Sequence, residues 1–213
     1  MLSSTGFDLW ADGYDRAVGL SDEDGTYPFA GYRAVLNTIY QDIRGDESAH
    51  TVLDVGIGTG TLAARLCGDG YAVTGVDFSP RMLEIARIRT ENRARLLAHD
   101  MHEGFPAALE DERFDRIVCT YALHHLTDEE KPAFLCALVG HLTEGGRVLI
   151  GDVAFPTRAG LEACREQAGD EFDDEECYLV FDELPPLPGV KASFTVMSPC
   201  AGVLTLERSR AHA

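Results

Sequence analysis

The chain is short of basic residues and of long apolar runs, and each shortage excludes a class of protein. Lys and Arg number 18 against 36 Asp and Glu, which gives the 213 residues a formal net charge of −18. A protein of this charge repels the phosphates of a nucleic acid and the anionic surface of a membrane, so we expect neither as a partner. No apolar stretch approaches the roughly 18 residues typical of a transmembrane helix.

Paired cysteines and a leader segment are also lacking. The six cysteines form no CxxC pair and show no Cys/His spacing typical of zinc sites. Most lie in apolar runs such as RIVCTY, where cysteine is usually a small buried hydrophobe, and a reduced environment suits them. The opening MLSSTGFDLWADGYD has no basic segment followed by an apolar one, so we expect no secretory signal. We therefore predict a cytoplasmic protein, a monomer or a weak homodimer.

What is present predicts one α/β domain. From Thr51 onward, short β-branched runs alternate with helical stretches, which is typical of βαβ units in a mostly parallel sheet with helices on both faces. Before that point, apolar residues recur at helical spacing, and an acidic, glycine-bearing interruption from Ser21 to Gly25, followed by Pro28, divides them into two short helices. We divide the single domain 1–213 into a helical lid 1–45, a donor-binding core 46–155 and a part 156–213 that holds the substrate side and a closing hairpin.

The alternation predicts five strands and the helices between them. The strands are TVLDVG, YAVTGVD, RLLAHD, FDRIVCT and RVLIGDVAF. A helix is predicted over TDEEKPAFLCALVGHL, opened by Thr127 and stopped by Gly145 and Gly146. Helical spacing also covers 157–168, and the acidic run GDEFDDEE that follows is predicted to be a solvated surface. ASFTVM and GVLTLER are typical of an antiparallel hairpin.

Residues suited to binding a ligand are concentrated where the first strand ends, in the run DVGIGTG that begins at Asp54. A glycine-rich turn between a strand and a helix lets a ligand approach bare main chain below the helix N-terminus. Asp77 ends the second strand, where a carboxylate can accept hydrogen bonds from a ribose diol. Asp100 ends the third strand. The carboxyl edges of neighbouring strands therefore converge on one crevice.

The spacing of the glycines distinguishes between two cofactors. A dinucleotide fingerprint reads G-x-G-x-x-G, whereas here the glycines fall at Gly56, Gly58 and Gly60 and an acid precedes them. An acid at this turn suits a ligand with a cationic amino group and no pyrophosphate. S-adenosylmethionine has that amino group, a ribose diol and an adenine, so the pattern favours it over NAD.

The ordered motifs resemble those of class I S-adenosylmethionine-dependent methyltransferases over residues 50–155. They are DVGIGTG, VDFSPRML, AHDM, FDRIVCTYALHHLTDEEK and LTEGGRVLIGDVAF. With FDLWADGYD and YPFAGYRAVL near the beginning, the chain is similar to the small bacterial methyltransferases of the YrrT type. The resemblance implies a Rossmann-like, doubly wound α/β fold with a seven-stranded sheet, an antiparallel closing hairpin and an N-terminal helical lid. Prolines between 180 and 190 replace a helix expected in the family.

The resemblance also implies roles for single residues. The three glycines would lie against the methionine portion of the donor, whose amino group Asp54 would hold. Asp77 would bind the ribose hydroxyls, and Asp100 would face the adenine amino group. The other expected donor contacts are Tyr14 of the lid, Phe78, Met82, Met101 and Thr120.

Three residues are expected beside the reacting methyl group, namely Tyr121, His124 and His125. Either histidine could act as a general base for an acceptor that must lose a proton. Adjacent residues on a helical turn point in different directions, and no further ligand stands at metal spacing, so we expect no metal site.

The sequence therefore predicts an enzyme that uses S-adenosylmethionine to methylate a small molecule by direct displacement at the sulfonium methyl. The donor is already activated by its charge, so positioning and removal of water suffice and no nucleophilic side chain is needed. Two alternatives stay open. One is a regulatory protein that binds the donor without catalysis, and the other is an NAD-dependent oxidoreductase, which the glycine spacing disfavours.

Overall fold

A twisted mixed sheet is the centre of the protein in the computed structural model, which describes residues 25–209. The strands are β1 Thr51–Val55, β2 Ala72–Asp77, β3 Arg95–Ala98, β4 Phe114–Thr120, β5 Leu142–Phe155, β6 Leu179–Val180, β7 Val190–Val196 and β8 Ala201–Arg208. The α-helices of these residues are α1 Tyr32–Arg44, α2 Thr61–Gly68, α3 Pro80–Arg89, α4 Lys131–Gly140 and α5 Arg158–Ala168.

The strand order is β3-β2-β1-β4-β5-β8-β7, and the two-residue β6 pairs with β5 off this path. Strands β1 to β5 pair in parallel, while β8 is antiparallel to both β5 and β7. This topology confirms the Rossmann-like α/β fold and the antiparallel C-terminal hairpin. The strand β6 is not predicted by the sequence patterns, because two residues are too few to show a period.

Each face of the sheet packs against helices. Val52 and Leu53 are adjacent in β1 and both fully buried, yet they belong to different cores because neighbouring side chains of a strand point to opposite faces. The core that contains Val52 includes residues of α1, α2, α3 and α5, and the core that contains Leu53 includes residues of α4. None of the helices in the described part combines the length and hydrophobicity needed to cross a bilayer.

The predicted end of the helix before β5 is wrong. Helix α4 already ends at Gly140, and β5 begins at Leu142, so Gly145 and Gly146 lie inside the strand. A Cβ on Gly146 would lie 3.1 Å from two carbonyl oxygens of β4, where the register of the β4–β5 pair shifts. Gly146 therefore serves a close approach between strands and Gly145 a backbone with φ +78°, rather than a helix stop. The predicted helix start at Thr127 is also wrong, since α4 begins at Lys131.

Candidate donor and acceptor site

The carboxyl ends of β1, β2 and β4 border one cavity of about 530 Å³. Parallel strands bring their carboxyl ends to the same sheet edge, which is where α/β proteins bind ligands. The volume is that of a small-molecule site. The residues predicted for the donor and for the reacting methyl that line this cavity are Gly56, Gly58, Asp77, Phe78, Met82, Met101, Thr120, Tyr121, His124 and His125.

The glycines of the β1 turn have different tasks. Gly56 has φ +71°, and a Cβ there would come within 2.6 Å of the Ala122 side chain, so the turn can lie against the segment after β4 only without a side chain. Gly58 has φ +53°, and a Cβ there would meet no atom within 4 Å, which leaves its main chain open to a ligand. Gly60 does not line the cavity. A Cβ on Gly60 would lie 3.1 Å from Ala86 of α3, so this glycine allows the close approach of α3, and its contact with the donor stays a prediction.

Asp77 holds the turn as well as facing the cavity. Its Oδ2 accepts a hydrogen bond from the Gly58 amide at 2.8 Å, and its Oδ1 accepts one from the Ser79 amide at 2.9 Å. Each carboxylate oxygen can accept a further hydrogen bond, so both remain able to receive a ribose hydroxyl. Burial raises the pKa of the Asp77 carboxyl, and the two amides act against that rise.

Asp54 is a buried carboxylate whose Oδ1 has no hydrogen-bond partner within the part of the chain that the structure describes. Burial, together with the nearby charge of Asp77, raises the pKa of Asp54 to about 7. A buried polar atom without a partner usually marks the place of a missing group. The cationic amino group of S-adenosylmethionine would supply both a donor and the opposite charge, so the residues present are compatible with this ligand.

Asp100 is not among the residues that line the cavity. The Oδ1 of Asp100 accepts a hydrogen bond from the His102 amide at 3.0 Å, because this carboxylate caps the short 3-10 helix Met101–Glu103. Its neighbours His99 and Met101 line the cavity instead. The contact of Asp100 with adenine stays a prediction, and His99 is a lining residue that the sequence motifs do not indicate. Tyr14 lies outside the described residues.

Tyr121, directly after β4, has a strained backbone. Its φ is +52°, which costs a non-glycine residue of the order of 1–2 kcal/mol. The Tyr121 amide donates to the Gly151 carbonyl at 2.8 Å, and the ring packs against Phe29 and Tyr32 with centroids 5.4 and 5.0 Å away. Strained backbone of this kind persists only where the surrounding structure holds it in place, and it is found mostly at functional sites.

His124 is bound on two sides to Asp152 of β5. The His124 amide donates to Oδ2 of Asp152 at 3.1 Å, and Nδ1 of the ring lies 2.6 Å from Oδ1. Asp152 is only 1% exposed. Burial lowers the pKa of His124, but the Asp152 charge and hydrogen bond outweigh it, so the pKa is raised. Sequence patterns did not single out Asp152, although an acid within the apolar run RVLIGDVAF was a signal.

His125 points to a carboxylate from a distant segment. Its Nδ1 lies 3.1 Å from Oε2 of Glu176, and the two histidine rings are 4.2 Å apart. Both lie in the 3-10 turn Leu123–His125, so the expectation that adjacent histidines cannot converge is wrong. Ligand atoms of His124, His125 and Glu176 lie within 4.8 Å of one another, a spacing that a metal ion could bridge. The absence of a metal stays a prediction.

Glu176 is held in place by its neighbour in the chain. The Cys177 amide donates to the carbonyl of His124 at 3.0 Å, and the ammonium of Lys131 donates to the Cys177 carbonyl at 2.6 Å. Lys131, only 1% exposed, also donates to Asp128 at 2.7 Å. The acidic run was predicted to be a solvated surface, and for Glu176 this is wrong, since its side chain is 13% exposed.

Aromatic residues from two distant segments, one before α1 and one after α5, pack against each other at the cavity. The Tyr27 hydroxyl hydrogen-bonds to that of Tyr178 and accepts from the Asp173 amide at 3.0 Å, and the Tyr27 ring stacks on Phe172 with centroids 5.1 Å apart. The segment after α5 therefore closes against the residues that precede α1. No motif predicts this contact, because it joins residues about 150 positions apart.

Comparisons with known proteins place the chain in a family. A profile described as a methyltransferase domain matches residues 52–146. An uncharacterized methyltransferase of Geobacillus kaustophilus is 35% identical over 198 residues, which cover 88% of each chain. The uncharacterized methyltransferase YrrT of Bacillus subtilis is 31% identical over 194 residues, covering 89% of this chain and 85% of that one.

Two solved structures share the fold. The DhpI–SAH complex superimposes with a TM-score of 0.71 at 20% identity and covers 98% of this chain and 96% of that one. Magnesium protoporphyrin IX methyltransferase from Synechocystis PCC 6803 with bound SAH gives a TM-score of 0.67 at 19% identity, with 85% of each chain covered. With the sequence relatives and the glycine turn above, these findings show that the chain belongs to the class I S-adenosylmethionine-dependent methyltransferases.

Proposed function

We propose that the protein transfers the methyl group of S-adenosylmethionine to a small-molecule acceptor, with His124 as the general base. The observation that carries this proposal is that the glycine turn with Asp77 and the His124–Asp152 pair line or adjoin the same cavity. One end is built for the donor and the other has a group that can take a proton. We also propose that residues 1–213 form a single domain whose N-terminal helices are a lid, and that no nucleic acid is a partner of so acidic a chain.

In the donor half, main chain and carboxylates would do the binding. Asp54 would hold the amino group of the methionine portion, and Asp77 the ribose hydroxyls. Phe78 and Met82 would line the adenine, with Met101 beside them, and Thr120 would border the donor where β4 ends. When bound, the donor supplies a methyl group activated by the positive charge of its sulfur.

In the acceptor half, His124 would move the proton. With Nδ1 held by Asp152, the other ring nitrogen, Nε2, is left as the basic one. The acceptor's lone pair forms the bond to the methyl carbon, the electron pair of the carbon–sulfur bond stays with sulfur, and the acceptor's proton passes to Nε2. Tyr121 would position the acceptor, and His125, turned to Glu176, would shape the cavity.

The test is to separate donor binding from methyl transfer. Calorimetry should show that S-adenosylhomocysteine binds the wild type and that NAD does not. With labelled donor and a pool of small metabolites, His124→Asn should lower transfer by about 10²- to 10⁴-fold while S-adenosylhomocysteine affinity stays unchanged.

The matched control is His125→Asn, which should also keep donor affinity and lose less activity. Loss of donor binding in both variants would show that the histidines support the donor half instead. Binding of S-adenosylhomocysteine without transfer to any acceptor would favour the regulatory alternative.

A further inference from the structure

We infer that the acceptor is a small amine that enters the cavity in its ammonium form, an inference that rests on the methyl transfer proposed above. Three features of the acceptor half point to this class, namely the sign of its charges, the nature of its walls and the placement of its base. Each is independent of the donor half.

The charges that line the acceptor half are negative. Glu171, Asp173 and Glu176 come from the segment that follows α5, and neither Lys nor Arg is among the lining residues of the described part. Two cations near this segment are paired with carboxylates, since Arg165 of α5 lies 2.5 Å from Asp174 and the buried Lys131 lies 2.7 Å from Asp128. A cavity with charges of one sign and low-dielectric walls concentrates ligands of the opposite sign. An acceptor with a carboxylate or phosphate would be repelled there.

Glu176 is the carboxylate best placed to hold a cation. Burial acts to raise its pKa, but the hydrogen bond and charge of His125 outweigh burial, so the pKa is lowered and the group is ionised at neutral pH. Only one contact within the described residues, from His125 Nδ1 to Oε2, is short enough for a hydrogen bond, at 3.1 Å. The second oxygen, Oε1, is then able to accept from an ammonium group.

The walls are aromatic. Tyr27, Phe29, Tyr121 and Tyr178 line the cavity beside the three carboxylates. Tyr27 and Tyr178 are 6.1 Å apart in an edge-on arrangement, and Phe29 and Tyr121 are 5.4 Å apart. Aromatic faces attract cations through their quadrupole and also pack against an apolar skeleton. A neutral alcohol carries no charge for these faces and carboxylates to attract.

His124 can accept the proton that an ammonium acceptor must lose before it is methylated. An ammonium group has no lone pair, so one proton must leave before nitrogen can attack. That proton passes to Nε2 of His124, the nitrogen lone pair then forms the bond to the methyl carbon, and the carbon–sulfur electron pair leaves with sulfur. The products are a methylated ammonium and S-adenosylhomocysteine. The buried Asp152 stabilises the imidazolium that results.

The test uses matched sets of compounds that share a skeleton and differ in one group. Phenethylamine, 2-phenylethanol and 3-phenylpropanoate, with aliphatic equivalents, are titrated into the protein saturated with S-adenosylhomocysteine and assayed for methylation with the donor. We expect the amines to bind and to be methylated in preference to the alcohols and acids. Glu176→Gln, which keeps an acceptor for His125, should weaken amine binding roughly 10- to 150-fold.

The control is Glu166→Gln on the exposed face of α5, which removes the same charge from a residue that does not line the cavity and should leave amine affinity unchanged. Preferential methylation of an alcohol or an acid, or failure of every amine to bind, would overturn the inference while the methyl transfer proposal stands. Amine binding that depends on Glu176 without methylation would also overturn the inference, because a ligand that is bound but not methylated is not the acceptor.

Discussion

The donor half and the acceptor half of the cavity are assembled in different ways. The donor half is local, since its turn, its carboxylate and the next helix start lie within residues 54–82, and main-chain amides of Gly58 and Ser79 fix Asp77. The acceptor half joins segments that are far apart in the chain, around Tyr27, His124, Asp152 and Glu176. The half proposed to bind the donor, which is the same ligand throughout the family, can therefore be a compact motif. The half proposed to select the acceptor depends on tertiary contacts between distant segments.

The largest effect is expected from removing the carboxylate charge of Asp152, which is hydrogen-bonded to the proposed base His124. Asp152→Asn should lower turnover by about 10²- to 10⁴-fold, because the imidazolium loses its partner. The Asp152 charge raises the pKa of His124, and the base must be neutral to act, so activity falls as pH drops through that pKa. Without the charge the pKa is lower, and the acid limb of the pH–rate profile should move to lower pH.

S-adenosylhomocysteine affinity is the control for Asp152→Asn, and we expect it to be unchanged. A loss of donor affinity as large as the loss of turnover would break the division between the two halves. An acid limb that does not move would show that His124 is not the group that titrates.

The second effect concerns the donor half. Asp77→Asn should weaken S-adenosylhomocysteine binding by roughly 10- to 150-fold, since an amide is a poorer acceptor for a ribose diol than a carboxylate. Both variants should also lower thermal stability, Asp77→Ala more, because Asn can accept from only one of the Gly58 and Ser79 amides and Ala from neither.

The matched variant is Asp100→Asn. Its carboxylate caps the Met101–Glu103 turn and does not line the cavity, so calorimetry should show a change in affinity much smaller than that for Asp77→Asn. Equal losses in both variants would show that Asp100 contacts the donor as Asp77 does.

Much of the fold could be predicted from the sequence because its signals are local. Five apolar runs predicted β1 to β5, and the start of α3 at Pro80 follows from Ser79, whose hydroxyl accepts from the Met82 amide at 3.1 Å. The position of the helix end before β5 is not predicted, because Gly145 and Gly146 are typical of a helix stop but serve a positive φ and a close approach between strands.

The acceptor half could not be predicted in the same way. Asp152 and His124 are 28 positions apart and His125 and Glu176 are 51 apart, and no spacing rule joins them. The acidic run shows why composition misleads here. Its charges favour a solvated surface, yet the contacts of Cys177 and Phe172 with His124 and Tyr27 turn Glu176 inward.

A smaller effect is expected from the protonation of Asp54. Its pKa of about 7 is above that of a carboxyl in the unfolded chain, so the folded protein without ligand binds an extra proton between about pH 4 and pH 7. The stability that this group contributes is present at low pH and is lost as pH rises through 7. The amino group of the donor requires the ionised form, so S-adenosylhomocysteine affinity should rise roughly tenfold from about pH 6 to pH 8.

Calorimetry in buffers of different ionisation enthalpy should detect the proton that leaves Asp54 on binding. Asp54→Asn should bind more weakly and show no pH dependence in this range. An affinity that is flat from about pH 6 to pH 8 in the wild type would mean that Asp54 is ionised before the ligand arrives or lies away from its amino group.

The smallest effect is expected from removing metal ions, which tests whether the acceptor half works through hydrogen bonds alone. Nδ1 of His124 and Nδ1 of His125 already face the carboxylates of Asp152 and Glu176 at 2.6 and 3.1 Å. An ion bound to His124 Nε2 would take the lone pair that the proposed base needs. We therefore expect methyl transfer to survive dialysis against a chelator, and added Zn²⁺ to inhibit rather than activate. Loss of activity on chelation, restored by Co²⁺ with a visible absorption band that Glu176→Gln abolishes, would instead make His124, His125 and Glu176 a metal centre and would remove His124 as the base.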